Sequence, residues 1–318
     1  MAGTLERNTA RTSVSGQKWQ AAAARTMSDR KFAWLLVTPI VLVMAVLAIG
    51  PLVYAVVVSV VKLDLTRGGM AGFVGLDNYR YVLFQPAFWN AIGTTLELTV
   101  KAVGLQMALG ILIAWLLTRT SHYRSIFTAL LILPLATAPA VTGLFWRYLY
   151  DTEFGVINAL CSFFGFPDLN WLGSVDLALW AVVIFDVWQW TPFVALIIFA
   201  GLQSLPVAPY EAAALDGASR WTVFRTLTFP LMKPILFLVV ILRTIDSLRL
   251  YDAVAVLTRG GPGDTTETLT YFMRKTALIL WRMDYASAMS LIYLYALLVL
   301  SVFALQPLLK VFIDRSKE

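Results

Sequence analysis

Four charged side chains recur at every third position of an otherwise apolar stretch: Arg243, Asp246, Arg249 and Asp252, with Tyr251 beside the last of them. Groups spaced by three lie next to each other along one surface of a helix, so each charge can pair with the next. Ionisable groups within a membrane span usually face a bundle interior or an aqueous cavity. Two interpretations follow. Either the charges form a self-neutralising ladder that fixes this helix against its neighbours, or they line the path of a solute.

A second group of polar and aromatic side chains lies in an earlier apolar stretch, at Asp186, Trp188, Gln189 and Trp190. An indole face can stack on the C–H surface of a sugar, while a carboxylate or an amide accepts hydrogen bonds from its hydroxyls. This combination predicts a carbohydrate path. Tryptophan also anchors membrane helices in lipid, so both interpretations stay open for the two indoles.

The elements that must position these groups are membrane helices. Of 318 residues, 59% are apolar and 14% are charged, which is far more apolar surface than a soluble domain needs. The sequence predicts an all-α polytopic membrane protein. Six segments are long enough to cross about 30 Å of hydrocarbon: Phe32–Val61, Ala91–Leu117, Ile126–Tyr148, Leu177–Leu202, Ile235–Leu257 and Ala286–Phe312. Prolines that can bend these helices are Pro39, Pro51, Pro134, Pro139 and Pro192.

Basic residues predict how the chain is oriented in the membrane. The polar tail of residues 1–31 leads into an apolar run too long for a signal peptide, so that run is expected to remain as the first helix of a transmembrane domain over residues 32–318. Fourteen Lys and Arg residues fall on the side of the two termini and of segment 204–234, against eight on the other side. The positive-inside rule therefore predicts that both termini and this segment are cytoplasmic.

Segment 204–234 has a local pattern typical of two short helices joined by a turn. Gly217 follows a run of helix formers, at the position where a residue free to take positive φ ends a helix. Ser219 is a candidate cap for a second helix, which Pro230 and Pro234 are expected to close. Small alanines in the first helix and an apolar stripe on the second predict a surface that docks into a groove of another protein.

This segment resembles the EAA loop of the membrane subunits of binding-protein-dependent ABC importers, in particular the carbohydrate group that includes the maltose and glycerol-phosphate permeases. In that family the loop is the coupling helix that sits on the cytoplasmic ATPase. The resemblance implies a coupling role for Glu211, Ala212, Ala213, Asp216, Gly217, Ala218, Trp221, Phe224 and Pro230. It also implies a location in a bacterial or archaeal cytoplasmic membrane.

The resemblance implies partners that the chain itself does not supply. No lysine follows a glycine, so the phosphate-binding loop GxxxxGK[ST] is absent and this chain is not expected to bind ATP in that way. ATP and Mg²⁺ would be held by two copies of a separate ATPase. A second, homologous permease and an extracytoplasmic solute-binding protein complete the expected importer, which moves a sugar or polyol by alternating access.

Several other classes of function are excluded or less well supported. The only cysteine, Cys161, and the only histidine, His122, exclude an internal disulfide and cysteine- or histidine-rich metal sites. Scattered basic residues do not favour nucleic-acid binding, and no nucleophile with a base suggests an enzyme. Two alternatives remain. Unpaired Arg243 and Arg249 would suit a phosphate ester such as glycerol phosphate, and a charge relay in the same helix would suit an ion-coupled secondary transporter.

Overall fold

The computed structural model describes residues 29–64, 69–120 and 122–315, and most of them are helical. The predicted N-terminal tail lies outside the described residues except for its last three positions, where the first helix has already begun. In chain order the elements are α1 (Asp29–Ser59), β1 (Val61–Asp64), β2 (Gly69–Phe73), α2 (Asp77–Phe84), α3 (Pro86–Arg119), α4 (Arg124–Leu135), α5 (Pro139–Leu149), α6 (Val156–Phe163), α7 (Val175–Gln203), α8 (Ala208–Leu215), α9 (Arg220–Val223), a π-helical turn (Phe224–Thr228), α10 (Phe229–Leu248), α11 (Asp252–Leu257), α12 (Leu269–Leu278) and α13 (Met283–Arg315).

The membrane-spanning helices follow the predicted order. Among the described residues, five helices are long and apolar enough to span a membrane, and the bent pair α4–α5 makes a sixth. The all-α polytopic prediction is confirmed. The antiparallel hairpin of β1 and β2, in which Val61 lies opposite Phe73, is a small addition that the hydropathy pattern did not predict.

Helix α1 is apolar on every side. Between Trp34 and Val57 its side chains are almost all exposed, with no polar face. Pro39 and Pro51 lie inside the helix, which continues through both. Just before the first proline, the Thr38 hydroxyl donates a hydrogen bond to the Trp34 carbonyl at 2.6 Å. A helix without a polar face is suited to a surrounding of lipid.

Helices α3, α7 and α10 form the buried centre of the rest of the chain. One apolar cluster joins Ala114 of α3 to Val194 of α7 and Val239 of α10, all fully buried. The backbones of α3 and α7 approach closely at Gly110, where an added Cβ would lie 2.5 Å from the Val194 Cγ1 atom and 3.2 Å from the Ala195 backbone nitrogen. Small residues permit such close helix packing in membranes.

Gly110→Ala is therefore expected to destabilise the protein, because the new methyl group overlaps Val194. Overpacking of this kind costs about 1–3 kcal/mol. The matched control is Gly104→Ala, one and a half turns earlier in the same helix, where nothing lies within 4 Å of the added Cβ. The thermal unfolding midpoint of the detergent-purified protein should fall for Gly110→Ala only. Equal midpoints for the two variants would contradict this packing.

The third predicted span, Ile126–Tyr148, is not a single straight helix. It is broken into α4 and α5, which meet at an angle of 94°. Pro139 begins α5, and its preceding residue Ala138 is extended, as the ring of a following proline favours. The bend occurs at the prolines that the sequence predicted as points of bending, Pro134 and Pro139, and its angle of 94° makes the span a broken pair of helices.

A tight turn over residues 258–268 connects the end of α11 to the start of α12. Gly260 and Gly263 take positive φ, a conformation that glycine adopts readily in a tight turn. The Thr266 hydroxyl donates to the Gly261 carbonyl at 2.9 Å. Burial raises the pKa of Glu267 above its ordinary value, while the Lys275 ammonium, 2.9 Å from its carboxylate, acts in the opposite direction. The ion pair fastens the turn to α12.

Candidate functional site

The segment at residues 204–234 folds as two short helices and a turn. Helix α8 ends at Leu215, and Gly217 reverses the chain at φ +69°. The Ser219 side chain then accepts a hydrogen bond from the Thr222 backbone N–H at 3.2 Å and caps α9. The Tyr210 hydroxyl donates to the Thr228 hydroxyl at 3.1 Å and ties the two halves together. The predicted helix, turn and helix are confirmed as local structure.

The sequence predicted that Pro230 and Pro234 end the second helix, and this prediction was wrong. The chain continues from α9 through the π-helical turn of residues 224–228 into α10. The Phe229 N–H bonds to the Phe224 carbonyl, five residues back. Pro230 is the second residue of α10, and Pro234 lies inside the helix about one turn later. Proline in the first turn of a helix leaves few hydrogen bonds unmade, so Pro230 is tolerated there, and the wider π turn accommodates the change of register just before it.

The outer surface of this segment is exposed and apolar. Leu215 is 90% exposed and Trp221 is 68% exposed, and the Trp221 ring stacks on Phe224 at 5.7 Å. Of the predicted coupling residues, Ala213 and Ala218 are half-buried, and the others are exposed: Glu211, Ala212, Asp216, Gly217, Trp221, Phe224 and Pro230. Leu215 was not among them, although an apolar residue just before a helix-ending glycine is visible in the sequence. We call the exposed side chains of residues 211–224 the coupling surface.

Behind the coupling surface lies a cleft of 620 Å³. It is lined by the ends of two spanning helices, including Arg119 of α3 and Leu202 of α7, and by Ala214 and Phe224 of the coupling segment. The segment therefore lies directly against the ends of the buried helices.

A buried polar cluster joins α3, α7 and α10 within the span. Its centre is Arg243, whose side chain is 2% exposed and whose guanidinium lies 3.2 Å from the Asp186 carboxylate. The Gln106 amide donates to the same carboxylate at 2.7 Å, and its oxygen accepts from Arg243 at 2.9 Å. Arg243 also pairs with Asp246 and lies 4.7 Å from the centre of the Trp190 ring. The cluster satisfies most of its buried charge with partners from three helices.

The charges of α10 do not form a ladder of successive pairs. The helix ends at Leu248, Arg249 follows in a turn, and Asp252 begins α11. Within the described part of the chain, no ion pair joins Arg249 to either aspartate. The pattern of threes assumed one continuous helix over Ile235–Leu257, and the break moves the last two charges out of register. Asp246 remains 54% exposed beside its buried partner.

The other predicted path residues divide into exposed and buried groups. Tyr251 stacks on Tyr271 at 6.1 Å, at the end of the span. Trp188 is partly exposed and packs against Trp146 at 5.4 Å, while Trp190 is half-buried. Asp186 is fully buried, and its second carboxylate oxygen has no hydrogen-bond partner in the structure. Asp246, Arg249 and Asp252 are thus the exposed charged groups of this set, and Arg243 and Asp186 are not free to meet a solute.

The Gln189 side chain forms hydrogen bonds with residues at the break between α4 and α5. Its amide nitrogen donates to the carbonyls of Pro134 and Thr137 at 3.2 and 3.3 Å, and its oxygen accepts from the Thr142 hydroxyl at 3.3 Å. Backbone groups left free by a break within a membrane require such partners. Gln189 is therefore a structural support of the bent pair and does not lie open to a passing solute.

Gln189→Leu is expected to destabilise the protein by about 1–3 kcal/mol, because the Thr137 carbonyl loses its side-chain donor inside the span. The Pro134 carbonyl loses one of two donors and keeps the Thr137 hydroxyl at 2.7 Å. The matched control is Gln203→Leu at the exposed end of the same helix. Thermal unfolding in detergent should separate the two variants. A midpoint for Gln189→Leu equal to that of the control would show that the break is supported in another way.

Gln106 is the member of the buried cluster that the sequence analysis missed. It is a polar residue inside the apolar span Ala91–Leu117, and this placement is the signal in the sequence by which it could have been found.

Among the described residues, no group of three His, Cys, Asp or Glu side chains is placed to hold a metal ion.

Comparison with known proteins identifies the family. Residues 106–317 match the family of binding-protein-dependent transport system inner membrane components. The chain is 40% identical to a probable ABC transporter permease protein, y4oQ, of Sinorhizobium fredii, over 84% of this chain and 86% of that protein. It is 37% identical to the trehalose/maltose transport system permease protein MalF of Thermococcus litoralis, over 76% of this chain and 82% of that protein.

A solved structure has the same fold. It is a chain of a bacterial ABC transporter involved in the import of the acidic polysaccharide alginate, with a TM-score of 0.77 and 20% identity, and the match covers 89% of this chain and 97% of that one. At that identity the likeness concerns the fold alone. From the exposed coupling segment, the spanning helices and the match over residues 106–317, the conclusion is that this chain belongs to the family of binding-protein-dependent transport system inner membrane components.

Proposed function

We propose that this chain is the permease subunit of an ATP-driven importer that carries a neutral sugar or polyol across the cytoplasmic membrane. The observation that carries this proposal is the coupling surface, which has a turn at Gly217 and a helix cap at Ser219 and yet leaves Leu215 and Trp221 exposed. A large exposed apolar patch on an otherwise ordered segment marks a protein interaction site. Its partner in this proposal is a cytoplasmic ATPase, present in two copies and holding ATP and Mg²⁺.

The remaining partners and the orientation belong to the same proposal. A second, homologous permease faces this one across the solute path, and a solute-binding protein delivers the solute from outside. Residues 1–31 form a cytoplasmic tail, residues 32–318 the transmembrane domain, and both termini lie in the cytoplasm. The bias of basic residues toward the side of segment 204–234 supports this orientation.

A neutral carbohydrate is favoured over a phosphate ester. The similar permease of Thermococcus litoralis is named for trehalose and maltose. Arg243, the residue that would hold a phosphate from within the span, is already occupied by Asp186, Asp246 and Gln106. Trp190 and the exposed carboxylate of Asp246 lie next to this arginine and offer a ring face and a hydroxyl acceptor, which suit a sugar. Family membership also places the chain in binding-protein-dependent transport, which leaves the secondary transporter without support.

Affinity purification of the tagged full chain from its native membrane tests the proposal. We expect mass spectrometry to find an ATPase and a second permease with it. Adding the solute-binding protein loaded with trehalose or maltose to the complex in vesicles should stimulate ATP hydrolysis. Recovery of this chain alone, transporting in liposomes without ATP, would overturn the proposal. Stimulation only by a phosphorylated solute would overturn the neutral-sugar part while leaving the importer intact.

A further inference from the structure

A ridge of exposed aromatic side chains lies on and around α6. Residues 154–167 contain no charged residue in fourteen consecutive positions. Four phenylalanines in this stretch are each between 63% and 87% exposed: Phe154, Phe163, Phe164 and Phe166. Val156 and Leu160, on the same side of α6, are more than half exposed. We call these six side chains the aromatic ridge. Exposing this much apolar surface to water is unfavourable.

The ridge cannot turn inward, because α6 is held from beneath. The buried Asn158 amide donates to the Leu169 carbonyl at 2.9 Å, and its oxygen accepts from the Trp171 indole at 3.0 Å. Gly155 packs so tightly that an added Cβ would lie 2.2 Å from the Asp151 carbonyl oxygen. These contacts hold the inner face of α6 against the loop, so its outer face is exposed in this chain.

The position of the ridge points to the membrane surface. Helix α7 begins at Val175, just after the loop that carries α6, and ends at the coupling segment, so the two features lie at opposite ends of one spanning helix. Helix α5 has exposed apolar side chains near its end, Phe145 and Tyr148, and Phe154 follows six positions after Tyr148, beyond the exposed Asp151 and Glu153. The aromatic ridge therefore lies close in sequence to the ends of two spanning helices, α5 and α7, where the spanning region meets water.

Charged groups border the ridge without entering it. Asp151 and Glu153 precede it and Asp168 follows it, all exposed. Hydrogen bonds from the Phe154 and Glu153 backbone N–H groups lower the pKa of Asp151, so its carboxylate is ionised and stays in water. The single hydroxyl within the ridge region, that of Ser162, is already bonded to Asp168 at 3.0 Å. No polar group of the ridge is free to specify a protein partner.

We propose that the aromatic ridge is a lipid-binding surface, with α6 lying in the plane of the membrane and its phenylalanines inserted at the boundary of headgroups and acyl chains on the side opposite the coupling surface. A short helix with one apolar face and aromatic residues is suited to that zone. No lysine or arginine occurs from residue 148 to residue 219, so the binding does not depend on anionic lipids.

Spin labels on the full chain, purified with its co-expressed subunits and reconstituted in vesicles of phosphatidylcholine alone, test this assignment. Cys161 is the single cysteine of this chain and lies on α6, so Cys161→Ser removes its only competing thiol, and the co-expressed subunits are used as cysteine-free variants. In that background Phe163→Cys carries a label on the ridge, and Asp168→Cys carries the matched control label on the charged border. Phe166→Cys is a second ridge position if the first variant is poorly recovered. Collision rates with oxygen, which concentrates in lipid, and with a nickel chelate, which stays in water, are compared.

The ridge label should collide several-fold more with oxygen than with nickel relative to the control label. Equal exposure of both labels to nickel in vesicles would overturn the proposal. So would a ridge label shielded from oxygen and nickel alike, since that indicates burial against a subunit. A ridge label that loses access to nickel only when the solute-binding protein is added would assign the surface to that protein instead.

Discussion

Replacing Leu215 by glutamate is expected to abolish solute uptake while leaving the protein folded and inserted. The leucine is 90% exposed at the end of α8, so the new carboxylate disturbs no packing within the chain. In the proposed assembly it would be buried against the ATPase, where losing a central apolar contact costs about 2 kcal/mol or more. An unpaired buried charge adds to that cost.

The measurement is ATP hydrolysis and uptake by the reconstituted complex, together with recovery of the ATPase on the tagged chain. Tyr123→Glu is the matched control, because it adds the same charge at an exposed aromatic position in the turn before α4, near the same helix ends. The control is expected to retain uptake. Leu215→Glu complexes that assemble and transport at the normal rate would rule out docking through the coupling surface.

Arg243→Met is expected to destabilise the protein more than any other substitution considered for the span. The change leaves Asp186, 1% exposed, without its cation inside the bundle. Breaking a buried pair by removing one partner costs about 3–5 kcal/mol, because the remaining charge is uncompensated. We expect little full-length protein in the membrane and a strongly lowered unfolding midpoint in detergent.

Two further variants separate a structural role from a role in transport. Arg243→Met with Asp186→Leu removes both charges and should recover much of the lost stability, as replaced buried pairs often do. Asp246→Asn removes only the half-exposed partner, so it should keep the unfolding midpoint and change uptake. If the double variant is no more stable than Arg243→Met, the ion pair is not what holds these helices together. If Asp246→Asn transports normally, Asp246 is not part of the solute path.

The parts of the fold that could be predicted from sequence depend on neighbours along the chain. Gly217 and Ser219 set the turn and the cap of the coupling segment within a few residues, and both are found where local rules place them. The spans likewise follow from hydropathy. Pro230 was misread because a proline that usually ends a helix can equally stand in the first turn of the next, after a π turn whose register local rules do not predict.

The buried cluster could not be predicted because its partners are far apart in sequence. Asp186 lies 57 positions before Arg243, and Gln106 lies 137 before it. The spacing of three within α10 offered nearer partners, and one of them, Asp246, does pair with the arginine. Which of several possible partners a buried arginine takes is decided by how the helices pack, and no periodicity in one helix contains that information.

The uninterrupted helical path from Trp221 through the π turn to Arg243 has a mechanical meaning. At 1.5 Å per residue the path is about 33 Å long, with the coupling surface at one end and the anchored cluster at the other. In the proposed assembly this helix would connect the contact with the ATPase to the three-helix ion cluster, so a force applied at Trp221 would reach Arg243 along one continuous backbone. The π turn of Phe224–Thr228 and Pro234 are the two places along it where the regular α-helical hydrogen bonds are interrupted.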